Sequence, residues 1–127
     1  MSATYSVAAK VAAHQAFADL LEAGGGDAYI NIRDAGDVLL AVIPLNTVVG
    51  TVDGGTGVLT FDVTGASDSS ADNTGTASYA EFCDFAAAVH LTLTCSAGTT
   101  PVSGEFVMNT LSVVAGGPVQ LVSATIG

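Results

Sequence analysis

The sequence has no tryptophan, 6% aromatic residues and only two cations, Lys10 and Arg33, against twelve Asp and Glu. Its formal net charge is −10 and its isoelectric point lies near 4.1. Nucleic-acid binding needs Lys and Arg to neutralise phosphates and release counterions, and two isolated cations build no basic footprint. No nucleic acid and no anionic membrane surface is expected as a partner. Long apolar runs are also missing. The longest, Val38 to Leu45, has eight residues and includes Pro44, far short of the roughly 18 a membrane helix needs. Met1 to Lys10 is followed by His14, Gln15 and Asp19, which interrupt any apolar core of a signal peptide. Synthesis inside a cell is therefore expected, with Cys83 and Cys95 as reduced thiols.

Apolar residues, by contrast, make up 50% of the chain, charged residues 11%, and the mean hydropathy is +0.58. This composition builds a packed core and not a disordered chain. The length of 127 residues fits one domain, 1–127.

From Ser6 to Ala23 the chain is Ala-rich, and Val7, Val11, Ala18 and Leu21 recur at helical spacing, with Phe17 and Leu20 widening the stripe. A helix over 6–23 is expected, capped by the Ser6 hydroxyl and stopped by Gly24-Gly25-Gly26. From 27 to 127 the pattern changes to about seven short β-branched or aromatic runs. These are Ala28–Arg33, Val38–Val42, Val58–Val63, Ser78–Phe85, Val89–Cys95, Glu105–Val113 and Val119–Ile126. Ala28, Ile30 and Ile32 share a face, as do Leu59, Phe61 and Val63; Val89, Leu91, Leu93 and Cys95 oppose His90, Thr92 and Thr94. One buried and one wet face, with a single helix to serve as a crossover, predict an antiparallel β-sandwich or jelly roll.

Ala86-Ala87-Ala88 can join Tyr79–Phe85 to Val89–Cys95 as a hairpin, with Phe85 facing Val89, Cys83 facing Leu91 and Tyr79 facing Cys95. That register separates the cysteines by roughly 13 Å along the strands, too far for a disulfide. Asp53–Gly57 and Ser67–Gly75 read as surface loops. No internal repeat of fixed period is visible.

The templates for chemistry fail on particular residues. Gly65-Ala-Ser67-Asp-Ser69 lacks the closing glycine of a nucleophile elbow, and His14 and His90 offer Ser67 no local partner. Gly55-Thr-Gly57 lacks the third glycine of a dinucleotide fingerprint, and Lys10 follows no phosphate loop. The two His and two Cys show no zinc-ligand spacing, and the cysteines read as small buried hydrophobes. His14 reads as a packed or hydrogen-bonded side chain at the edge of the helix stripe, His90 as solvent-facing. Asp68, Asp72 and Asn73 can be imagined on a calcium ion, but an ordinary solvated turn explains them better. Glu81 falls on the face that the hairpin register would bury; there an acid catalyst is one reading, a bulge or an interface partner the simpler one. No catalytic, cofactor or metal residue is assigned, no cofactor is expected, and the chain is not expected to be an enzyme.

The segment Val63-Thr-Gly-Ala-Ser-Asp-Ser-Ser-Ala-Asp-Asn-Thr-Gly-Thr-Ala-Ser-Tyr79, the strand ending at Asp84, and the run Asn109–Ile126 resemble small virion proteins of tailed bacteriophages. The helix with an Ala-Gly stop, the strand Tyr29–Arg33 and the run Val38–Leu45 are similar in the same way. After Arg33 the short turn Asp34-Ala-Gly-Asp37 replaces a longer Pro- and Thr-rich stretch. The resemblance implies a capsid decoration or cement protein, made in the host cytoplasm, bound to the major capsid protein on the outer capsid surface of the virion. An acidic chain suits that surface better than an interior filled with DNA. Alternatives are a neck or tail component, or a small carbohydrate-binding sandwich, which needs exposed aromatic rings. Capsid contacts are expected to be apolar and β-edge in kind. No strand carries Lys and only Pro44 and Pro118 lie near strand edges, so a homo-oligomer, dimer or trimer, is expected to cover them.

Overall fold

In a computed structural model, the structure describes residues 6–23, 26–62, 67–68, 70–100 and 105–126. Helix α1, Val7–Glu22, begins where expected, with the Ser6 hydroxyl accepting the Ala9 N–H at 3.1 Å. Its inward face carries buried Ala18 and Leu21 and half-buried Lys10, Val11, His14 and Phe17, whereas Val7 and Leu20 are exposed. The apolar stripe is thus rotated by one position, with Lys10 and His14 on the packed side. The expected glycine stop at Gly24-Gly25 lies outside the described residues.

The fold is mainly β with this one helix, as expected. The described strands number eleven and not about seven: β1 Tyr29–Arg33, β2 Leu39–Pro44, β3 Gly50–Val52, β4 Leu59–Phe61, β5 Ser67–Asp68, β6 Gly75–Thr76, β7 Tyr79–Cys83, β8 Val89–Ala97, β9 Glu105–Met108, β10 Ser112–Val113 and β11 Val119–Ile126. They form a curled sheet in the order β2-β1-β7-β8-β9-β11-β4-β3, with β5 also on β11 and a separate β6–β10 pair. One pairing corrects the purely antiparallel expectation. Strands β8 and β9 run parallel, from Thr94↔Glu105 to Ala97↔Met108. They are joined through residues 98–104, too few for the helical crossover of about a dozen residues that the expectation assumed.

Four phenylalanine rings hold the curl together. Phe17 of α1 meets Phe61 of β4 edge-on at 6.3 Å, Phe61 meets Phe82 of β7 at 4.5 Å, and Phe82 meets Phe106 of β9 at 6.2 Å. The helix lies against β3 and β4. There the Glu22 carboxylate accepts the Val49 N–H at 3.0 Å, and His14 Nδ1 lies 2.5 Å from the Gly57 carbonyl oxygen.

At β2 the chain itself covers the sheet edge that the sequence reading leaves to a second subunit. Asp68 accepts the Val42 N–H at 3.0 Å, and the Leu40 carbonyl accepts the N–H groups of Asp72 and Asn73 at 2.8 and 3.3 Å. The Asn73 side-chain amide donates to the Leu39 carbonyl at 2.8 Å. Asp68, Asp72 and Asn73, expected to lie in a surface loop, therefore cover the edge, and neighbouring Ala71 is buried.

A repeat invisible in the sequence emerges from the pairing. The hairpin β1–β2 and the hairpin β7–β8 are the same structure displaced by 50 residues. Arg33↔Leu39 and Ile32↔Ala41 in the first match Cys83↔Val89 and Phe82↔Leu91 in the second, each with a register shift between the two pairs. The turns match too: Asp34 N–H to Val38 O and Asp37 N–H to Asp34 O, against Asp84 N–H to Ala88 O and Ala87 N–H to Asp84 O. At the far ends, Leu45 N–H donates to Ala28 O as Cys95 N–H donates to Ser78 O. Because β1 pairs with β7 antiparallel, centred on Asn31↔Glu81, the two hairpins are related by a local pseudo-twofold axis through that pair. Between 28–45 and 78–95 only Tyr29/Tyr79 and Asp34/Asp84 are the same residue.

Both turns need a left-handed residue, Asp37 at φ 68° and Ala87 at φ 72°. Asp tolerates that region; Ala pays for its Cβ. Ala87→Gly is expected to raise stability by about 0.5–1 kcal/mol, read as a higher urea midpoint. An unchanged or lower midpoint would show that the turn carries no strain.

Candidate functional site

The β1–β7 pairing gathers a polar cluster on the outer face of the sheet. Arg33 Nε donates to Glu81 Oε1 at 2.5 Å, Arg33 Nη1 donates to the Asp37 carbonyl at 3.1 Å, and the Tyr79 hydroxyl donates to the Asp37 carboxylate. Glu81 therefore does not lie on the buried face, as the expected register required. The inward residues of β7 are Ala80 and Phe82, and Glu81 is half-buried on the other side beside Arg33. The hydrogen bond from Arg33 to Glu81 raises the guanidinium pKa further. The hydrogen bond to Asp37, then burial, pushes the Tyr79 hydroxyl up to about 12.

That shift has a checkable sign. A phenol whose folded pKa exceeds its ordinary value of 10.0 contributes stability that is fully present below about pH 10 and is lost between about 10 and 12. Ultraviolet titration is expected to show one tyrosine ionising near 12, a step removed by Tyr79→Phe and lowered by Asp37→Asn. If Tyr79→Phe leaves the alkaline titration unchanged above pH 11, roughly a unit over the free value, the hydrogen bond is not what holds the phenol.

At the other hairpin tip, related to this one by the pseudo-twofold axis, the chemistry is apolar. Phe85, expected to end a strand opposite Val89, stands instead in the turn and is 60% exposed; Val89, expected on the buried face, is 48% exposed. The cause is Asp84. Its carboxylate accepts the Ala88 N–H at 3.0 Å, which closes the turn one residue earlier than the alanine run suggests. The bulge between Phe82 and Cys83, where His90 is the extra residue on β8, also turns His90 away from solvent. His90 Nε2 lies 2.9 Å from Asp84 Oδ2 with its side chain 20% exposed, correcting the solvent-facing expectation. This contact, followed by the Ala88 N–H, holds the Asp84 carboxyl below its ordinary pKa.

The remaining candidates among the described residues take part in local structure. His14 is packed and bonded to a carbonyl, in line with its sequence reading. Asp68 spends one oxygen on the Val42 N–H and the other on the Ser70 N–H, while Asn73 and the Asp72 backbone latch β2. Among the described residues no three His, Cys, Asp or Glu gather around a common point. Cys83 and Cys95 are buried free thiols. Burial raises both, Cys95 to about 12, and Glu81 adds to the rise at Cys83, so neither is an activated thiolate. Gly65, Ser69 and the Ser67 side chain lie outside the described residues. A recess of about 280 Å³ opens between Met108, Asn109, Thr110, Ser112, Val113, Pro118 and Val119; none of these side chains ionises.

Compared with protein-family models, with curated proteins and with solved structures, the chain has no match. The exposed apolar turn was missed in the sequence, although a signal exists: Asp84 opens a turn as Asp34 and Asp53 do, and apolar residues follow it without a break to Val89.

Proposed function

We propose that this chain is a non-enzymatic structural protein of a bacteriophage particle, a decoration or cement protein on the outer face of the head. The observation that carries the reading is how the charges are used. Asp34, Asp53, Asp68 and Asp84 each accept turn N–H groups, and Arg33 is paired with Glu81. These groups brace turns and form an ion pair, and among the described residues no three His, Cys, Asp or Glu gather around a common point, while the net charge of −10 favours a location away from packaged DNA. The likeness of 63–79 and 109–126 to small virion proteins supports the same reading.

The test uses empty shells assembled from the major capsid protein of the virus that encodes the chain. Added protein is expected to co-sediment with the shells at saturable stoichiometry and to raise the temperature at which they disrupt. Absence of co-sedimentation at micromolar concentration would reject the proposal. A carbohydrate-binding role has one observation in its favour, the half-buried Tyr29 and Tyr79 on the same outer face; binding to a glycan array lost in Tyr79→Ala would support it instead.

A further inference from the structure

We propose that the tip of the β7–β8 hairpin, Phe85 to Val89, is the anchor by which the chain docks, inserting the Phe85 ring into an apolar recess of a protein surface that is neutral or positively charged. The proposal rests on the structural role above and identifies that surface as the shell's.

Three observations carry it. All five residues from 85 to 89 are exposed, and all are apolar: a phenylalanine, three alanines and a valine. A soluble surface avoids such a run unless it is used. The second observation is the internal repeat, which supplies a control within the molecule. The equivalent tip, 35–39, is built on the same hydrogen bonds but places Gly36 and Asp37 in the turn, and Asp37 is tied to Tyr79 and Arg33. The backbone therefore does not require apolar residues at 85–88, and at Ala87 it holds one in a left-handed conformation that suits it poorly. The third is that Phe85 is positioned. Its ring lies against Gly26, where an added Cβ would come within 2.6 Å of Cδ2. The Asp84 contacts with Ala88 and His90 brace the base of the turn. A ring held in place before contact loses little freedom on docking.

Charge selects the occupant. A second copy would bring −10 against −10, with Asp84 and exposed Asp27 near each approaching tip, and the few cations are spent elsewhere: Arg33 on Glu81 and Lys10 on α1 packed over Gly57. A surface of neutral or positive charge meets no such repulsion. The tip itself carries no charge, so binding should survive moderate salt.

The experiment measures co-sedimentation with the same shells for the wild type, Phe85→Ser, Ala86→Asp and, at the other tip, Val38→Ser. Each free protein is first checked for an unchanged melting temperature; position 86 is exposed, so Ala86→Asp remains informative should Phe85→Ser lose stability. Phe85→Ser and Ala86→Asp are each expected to weaken binding about tenfold or more, with Val38→Ser within about twofold of wild type. Wild-type protein that fails to bind overturns both the structural reading and the anchor. Wild-type binding that neither tip variant weakens overturns the anchor alone. Self-association of the wild type in sedimentation velocity that disappears in Phe85→Ser would make the occupant a second copy and overturn the shell assignment.

Discussion

Phe82→Ala is expected to lower the free energy of unfolding by about 3–5 kcal/mol, measured by urea denaturation. Phe82 is 0% exposed and sits in the middle of the ring series, 4.5 Å from Phe61 and 6.2 Å from Phe106. Truncation removes the burial of one large side chain and also the contact through which β4, with the helix behind it, faces β7 and β9. The surrounding strands are tied by ladder hydrogen bonds and cannot collapse into the gap, which places the cost toward the upper part of that range. Should the alanine variant fail to fold, Phe82→Leu retains most of the volume and is expected to cost about 1–1.5 kcal/mol. A loss below about 1 kcal/mol for alanine would mean that the rings do not link the two sides of the curl.

Gly50→Ala is the second large effect expected, and it arises from backbone contact. An added Cβ would lie 2.4 Å from the Thr60 carbonyl oxygen and 2.9 Å from the Phe61 Cα. Neither atom is the end of a flexible side chain, so β3 must move away from β4 or lose pairing. Overpacking of this kind costs about 1–3 kcal/mol and occasionally more. Gly54 is the matched control in the adjoining turn, where an added Cβ meets nothing within 4 Å; Gly54→Ala is expected to stay within about 0.5 kcal/mol of wild type. Equal urea midpoints for the two variants would show that β3 slides freely over β4.

The contrast between these glycines also explains what sequence could and could not reveal. Residue pattern was sufficient where a side chain acts on its own neighbourhood. Ser6 caps α1; Ala28, Ile30 and Ile32 face the core; Leu59 and Phe61 do so with Thr60 outside. It failed where one hydrogen bond resets a register. The Asp84 carboxylate closes its turn early and the following bulge adds a residue, so Cys83 faces Val89 instead of Leu91 and Tyr79 faces Thr94 instead of Cys95. In a strand such a slip exchanges faces, which is why alternation alone places His90 and Val89 in the wrong environment. Strand β3 reads as Gly-Thr-Val and carries no alternation long enough to detect, while β5 and β6 lie in a Ser- and Asp-rich stretch whose strand character comes from partners far along the chain. The pseudo-twofold hairpins were illegible for a related reason. Their likeness resides in backbone bonds made by Asp34 and Asp84, and most surrounding side chains differ. The docking tip was hidden with them, since Phe85 and Val89 look like core residues until the turn is placed.

The position of β11 sets an order on events during synthesis. It pairs with β9 on one side and with β4 on the other, and also with β5, yet it comes after all of them in the chain. While the nascent protein is still being extended, the hairpins of 28–45 and 78–95 have their partners close at hand, but β4 and β9 each wait with a bare ladder until Val119 to Ile126 leave the ribosome. Translation therefore passes through an interval in which two strand edges are open at once, the state in which unfinished β proteins join to one another. A chain halted before Val119 would be held in that interval, and its expected fate is aggregation or proteolysis.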